Sequence, residues 1–103
     1  MSVLLEFSMF PTDKGESVSK YVSRIIKAID EAGYAYRLTP MGTVVETGSF
    51  DQSLEVLRLA YQQLKPDCQR VYSSLKFDIR KNKSDRLEGK MQSIEEKIGP
   101  VKK

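Results

Sequence analysis

Two carboxylates and one run of alternating charges are the residues in this chain with chemistry to offer. Glu46 stands in Thr43-Val44-Val45-Glu46-Thr47-Gly48, a β-branched stretch. An acid buried there without a partner costs free energy. Alternation puts Glu46 on the strand face of Val44 rather than that of Val45, so it belongs either on an open sheet face or paired at a site. Asp78 stands in Lys76-Phe77-Asp78-Ile79-Arg80. Same-face residues of a strand are about 6.6–6.8 Å apart, which places Asp78 between two cations that favour its ionised form. A carboxylate and guanidinium so anchored can grip a polar ligand or a partner subunit. The plain alternative is a solvated ladder worth about 0–1 kcal/mol per pair. Acid–base catalysis would need Glu46 and Asp78 to approach one another, and nothing in their spacing sets that separation.

Composition removes other chemistries. The 103 residues contain no histidine and one cysteine. That excludes a histidine zinc site, a Ser-His-Asp triad and a Cys-His pair. Cys68, after Pro66-Asp67 in an expected loop, has no base to activate it. A single cysteine permits no internal disulfide and fits a reducing cytoplasm. Gly42 and Gly48 stand alone, without a phosphate-cradling motif. No apolar run reaches the roughly 18 residues of a membrane span, and the start, Met1-Ser2-Val3-Leu4-Leu5-Glu6, does not read as a signal peptide. The net charge of +3 comes mainly from the last quarter of the chain, as for a solvated helix and tail rather than a nucleic-acid stripe.

The elements that must position these residues are marked by periodicity. Arg70 to Arg80 alternates over eleven residues, with Val71, Leu75, Phe77 and Ile79 on one face and Tyr72, Ser74, Lys76 and Asp78 on the other. This is a strong strand pattern. Ser2 to Phe10 alternates likewise and ends at Pro11. Ser17 is a plausible N-cap for a helix whose stripe is Val18, Tyr21, Val22, Ile25, Ile26 and Ile29, closed by Gly33. Tyr34–Thr39 and Thr43–Gly48 form a hairpin around Pro40-Met41-Gly42. A second helix opens either with Ser49 and Gln52 spaced as a capping box or with Asp51 as its N-cap, and Leu54, Leu57, Ala60, Tyr61 and Leu64 are its expected buried stripe. A third helix over 84–98 is marked by Leu87, Met91, Ile94 and Ile98, with a frayed tail expected over 99–103.

The order strand, helix, strand, strand, helix, strand predicts an α+β fold. It suits a single ferredoxin-like βαββαβ sandwich over 1–103 with an additional C-terminal helix. Right-handed crossovers set the first and last strands side by side, and the last strand is expected in the middle, its charged face open. Nucleic-acid modules of this architecture stack bases on aromatics of the central strands. Here Phe10 and Tyr72 lie near strand ends, which argues against that use.

Several blocks carry a resemblance. Phe7-Ser8-Met9-Phe10-Pro11 and Ser17-Val18-Ser19-Lys20-Tyr21-Val22 open it. Gly33 to Glu46 and Lys76-Phe77-Asp78-Ile79-Arg80 continue it, in the same order. Together they resemble the small thiamine-binding, MTH1187/YkoF-like family, also called UPF0045, over about residues 3 to 98. Thr47 stands between Glu46 and Gly48, where relatives have glycine directly after the glutamate, and Ile79 replaces an aspartate common in the last block. The resemblance implies a ferredoxin-like fold and assembly into homodimers or homotetramers. It implies binding of thiamine or its pyrimidine part, without catalysis; the residues themselves lead us to expect no cofactor, metal, nucleic-acid or membrane partner. The positions matching the family's motifs are Ser8, Pro11, Met41, Gly42, Thr43, Glu46, Asp78 and Arg80. A carboxylate and hydroxyls suit the edges of an aminopyrimidine, and a cationic ring suits aromatic faces and acids. A phosphorylated form would call on Arg80 or Lys76. A different reading makes the chain an assembly module whose polar sheet face serves only as an interface.

Overall fold

The computed structural model describes residues 1–102. The expected frayed tail ends on Lys103, which lies outside the described residues. Seven elements follow in order: β1 (Ser2–Pro11), α1 (Ser19–Glu31), β2 (Ala35–Thr39), β3 (Gly42–Thr47), α2 (Phe50–Leu64), β4 (Val71–Arg80) and α3 (Arg86–Ile98). The strands form one antiparallel sheet in the order β2-β3-β1-β4. Helices α1 and α2 cover one face, so the fold is ferredoxin-like.

Alternation decides which side chains enter the core. Val3, Leu5 and Phe7 of β1 and Val45 of β3 point toward the two helices and are buried. Leu5, Phe7 and Val45 pack there with Ile25 and Ile29 of α1 and Val56, Ala60 and Leu64 of α2. The local signals work as their chemistry requires. Gly33, just past α1, takes a φ of 83°, a left-handed conformation that glycine adopts at little cost. Ser49 accepts a hydrogen bond from the Gln52 N–H at 3.1 Å, and Gln52 Oε1 accepts in return from the Gly48 N–H at 2.9 Å. At α1 the cap position falls to Val18 rather than Ser17.

Three expectations are corrected. First, β4 is an edge strand. It pairs with β1 from Ser2 opposite Arg80 to Pro11 opposite Val71, but the β2–β3 hairpin takes the other side of β1. The middle places therefore go to β1 and β3. Second, the stripe that α2 turns to the sheet keeps Leu57, Ala60 and Leu64 but is rotated away from Leu54 and Tyr61. Ser53, Val56, Ala60 and Leu64 are buried, whereas Leu54 and Tyr61 are 39% and 45% exposed. The small side chains of Ser53 and Ala60 admit the close approach. Third, the apolar face of β4 is only partly covered. The helices lie over β1 and β3, so Leu75 and Ile79 remain 42% and 46% exposed, although Phe77 meets the Phe50 ring at 5.0 Å.

Candidate functional site

The eight residues expected at a site are divided between the two ends of the sheet. At the end holding the β2–β3 turn, a cavity of ≈ 300 Å³ opens between that turn, β1 and the start of α1. Met41, Gly42 and Thr43 line it from the hairpin, and Ser8 from β1. Its remaining wall is mostly apolar, including Val18 at the cap of α1, Val22 and Ile26 of α1 and Leu38 of β2. Periodicity had placed the α1 residues in the core, so their part in a cavity wall was not visible from the sequence.

The turn is held by one hydroxyl. Thr39 Oγ1 accepts from the N–H groups of Met41 and Gly42 at 3.2 and 3.1 Å and donates to the Gly42 carbonyl at 2.8 Å. Gly42 is required by space: a Cβ there would stand 2.9 Å from the Phe7 carbonyl oxygen. Any larger residue would push the hairpin off β1. Met41, at the tip, is 89% exposed. Thr43 is buried on the helix side of β3.

The Ser8 hydroxyl itself points to the other side of the sheet, away from the α1 wall of this cavity. Its hydroxyl is 3.1 Å from that of Ser74, and both belong to a small polar recess shared with Glu6, Met41 and Lys76. Lys76 pairs with Glu6 of β1 at 2.9 Å. Phe10 and Tyr72 lie together on the same face, ring centroids 5.9 Å apart. Pro11 is fully buried at the end of β1.

Glu46 and Asp78 lie at the opposite end, both in register with Leu4 of β1. That is four strand positions from Ser8, or about 13 Å. Here the open face is occupied by α3. The Glu46 carboxylate accepts from the Ser2 hydroxyl and from the N–H groups of Arg86 and Leu87, at 2.9 and 3.2 Å for the two amides. It therefore caps the first turn of α3 from a strand, in place of a local residue. Asp85, at the cap position, has φ 53° and no side-chain cap bond. Arg86 completes the joint. Its Nε donates to Ser2 Oγ at 3.0 Å, its Nη2 to the Ser2 carbonyl at 2.7 Å, and its Nη1 pairs with Asp78 Oδ2 at 3.0 Å. Arg37 of β2 adds an ion pair with Glu88 of α3. Asp78 thus takes its cation from α3 rather than from its neighbours Lys76 and Arg80. Arg80 is exposed at the end of β4.

Burial pushes the Glu46 carboxyl up. The Ser2 hydroxyl, the two α3 amides and the Arg86 charge outweigh it and hold the group below its ordinary value. At Cys68, burial and then the Asp67 charge push the thiol up, the reverse of what a nucleophilic cysteine needs. Among the described residues no group of three or more acids and cysteines is arranged to hold a metal.

Comparison with known proteins agrees with this architecture. The thiamine-binding protein family profile matches residues 5–95. A UPF0045 protein of Methanocaldococcus jannaschii is 39% identical over 94 residues, covering 91% of this chain and 93% of that protein. The crystal structure of a hypothetical protein from that organism superposes with a TM-score of 0.80 at 39% identity, covering 92% of this chain and 97% of the other. A Thermotoga maritima protein proposed for thiamine biosynthesis or salvage shares the fold, with a TM-score of 0.75 at 19% identity over 90% of this chain and 99% of its own. With the family profile running from within β1 through β4 and into most of α3, this chain belongs to the thiamine-binding protein family.

Proposed function

We propose that this protein is a non-enzymatic cytoplasmic binding protein for thiamine or a related aminopyrimidine, working as a homo-oligomer. The observation that carries the reading is convergence. Ser8, Met41, Gly42 and Thr43 come from separate segments to one cavity of ≈ 300 Å³, at the lower end of the about 300–1,000 Å³ common for small-molecule sites. Its apolar wall suits a flat ring. The Thr43 hydroxyl supplies a polar contact. The polar recess beyond Ser8 suits a charged or hydroxylated extension of the ligand.

Binding without catalysis is supported by where the acids go. Glu46 and Asp78 are both engaged with α3, so neither is free to move a proton on a ligand in the cavity. No helix among the described residues is long and apolar enough to cross a membrane. Calorimetric titration of the purified protein with thiamine tests the reading. A saturable heat is expected, reduced by Gly42→Ala because the added methyl displaces the hairpin. Neither heat nor thermal shift at millimolar thiamine would count against it.

A further inference from the structure

The geometry points to a longer site. The cavity beside the hairpin is one end of a trough between α1 and β2, and the far end, where Tyr36 holds Asp30, takes the cationic group of an elongated, ring-bearing ligand.

The trough follows from how the chain reverses. Gly33, in its left-handed conformation, turns the chain after α1, and β2 runs back beside the helix. Residues 19, 22, 23, 26, 27 and 30 recur at three- and four-residue spacing, so they share one face of α1. Tyr36 and Leu38 are two apart and share one face of β2. These two faces flank a trough of ≈ 530 Å³. Val22, Ile26 and Leu38 line both the trough and the ≈ 300 Å³ cavity, which makes the two continuous. The core uses a different arc of α1. Ile25 and Ile29 are buried in it, while Val22 and Ile26 are only half-buried and Leu38 is 59% exposed. An apolar floor is thereby left open along β2, an edge strand of the sheet.

The far end has a different chemistry. The Tyr36 hydroxyl donates to Asp30 Oδ1 at 2.9 Å, which fixes the carboxylate beside the ring. The other oxygen of Asp30 has no hydrogen bond among the described residues, and its charge has no ion pair there. Lys27, the cation on the same wall, lies 4.0 Å from Glu31 on the next turn of α1 and is offset by it. An aromatic face and an unpaired carboxylate side by side attract a cation on both counts. Asp30 stands one helical turn past Ile26, about 6 Å along the axis. That step suits a ring lying on Val22 and Ile26 and joined through one carbon to a cationic group. Thiamine has this form, whereas its pyrimidine alone would end short of Asp30. Naming the ring an aminopyrimidine rests on the proposed function; the trough and its acid do not.

A titration followed by nuclear magnetic resonance tests the assignment with thiamine, its isolated aminopyrimidine, and benzyltrimethylammonium as a ring–cation probe unrelated to thiamine. Both cations are expected to move the Tyr36 ring signals, and the pyrimidine to leave them in place. Asp30→Asn, an exposed substitution of the same shape, is expected to weaken both cations about two- to fivefold and to leave the pyrimidine unchanged. Thiamine bound equally by wild type and Asp30→Asn overturns the inference while the proposed function stands. Benzyltrimethylammonium that moves Tyr36 and is weakened by Asp30→Asn, with no binding of thiamine, upholds the trough and removes the thiamine reading. Tyr36 signals unmoved by either cation, or all three probes weakened alike by Asp30→Asn, overturn the inference.

Discussion

A carboxylate that receives three hydrogen bonds on folding makes this protein sensitive to acid at one defined place. Glu46 is held below its ordinary value of 4.5 in the folded chain. A depressed folded value means stability that is present above the unfolded value and lost as pH falls through the folded one. The joint between α3 and the sheet is therefore expected to weaken below about pH 4.5. In a titration followed by nuclear magnetic resonance, the Arg86 and Leu87 amide shifts should move together with the Glu46 carboxyl. Glu46→Gln should abolish that transition and cost on the order of 1 kcal/mol at neutral pH. Independent titration of the two amides would show that Glu46 does not cap the helix. The sequence signalled that Glu46 needed a partner, since an acid in a β-branched strand is costly alone. It could not name Arg86, because nothing local links a strand residue to a helix start forty positions later.

At the scale of the element, α2 shows what periodicity does and does not specify. Its start was legible in part: of the two starts the sequence offered, Ser49 rather than Asp51 is the cap, and Gln52 reaches back to the Gly48 N–H rather than to that of Ser49. Ser49→Ala is expected to cost about 1 kcal/mol, read as a lower denaturant midpoint with an unchanged slope. An unchanged midpoint would mean that water replaces the hydroxyl without loss. The buried stripe was less legible. Apolar residues occupy two overlapping arcs of α2, one through Val56, Ala60 and Leu64 and one through Phe50, Leu54 and Tyr61. A period of 3.6 identifies both and ranks neither. The deciding factor lies outside the helix, in how closely β1 and β3 approach it. The same reasoning applies to β4, whose alternation gave its faces correctly but could not say how much of its apolar side the helices would reach.

Across the whole molecule, element types and their order were readable because each strand and helix carries its own period. Sheet order was not read fully, since β1 offers backbone groups on both sides and the charged face of β4 carries no mark of edge or centre. The β2–β3 hairpin decides the matter by occupying one side of β1 along Val3 to Phe7. The candidate site was legible in part for the same reason. Its hairpin residues are neighbours in sequence, whereas its remaining residues depend on which strands lie side by side.

The joint that holds α3 has a consequence for the order in which the protein folds. Its three anchors, Ser2, Glu46 and Asp78, belong to β1, β3 and β4. A one-residue slip of any of these strands turns its anchor to the opposite face. The attachment point for α3 therefore does not exist until three strands are paired in register. In pulsed hydrogen exchange during refolding, the α3 amides should gain protection after those of β1, β3 and β4; simultaneous or earlier protection would refute the sequence of events. Attachment of the last helix then acts as a proofreading step, completed only by a chain whose sheet is correctly assembled.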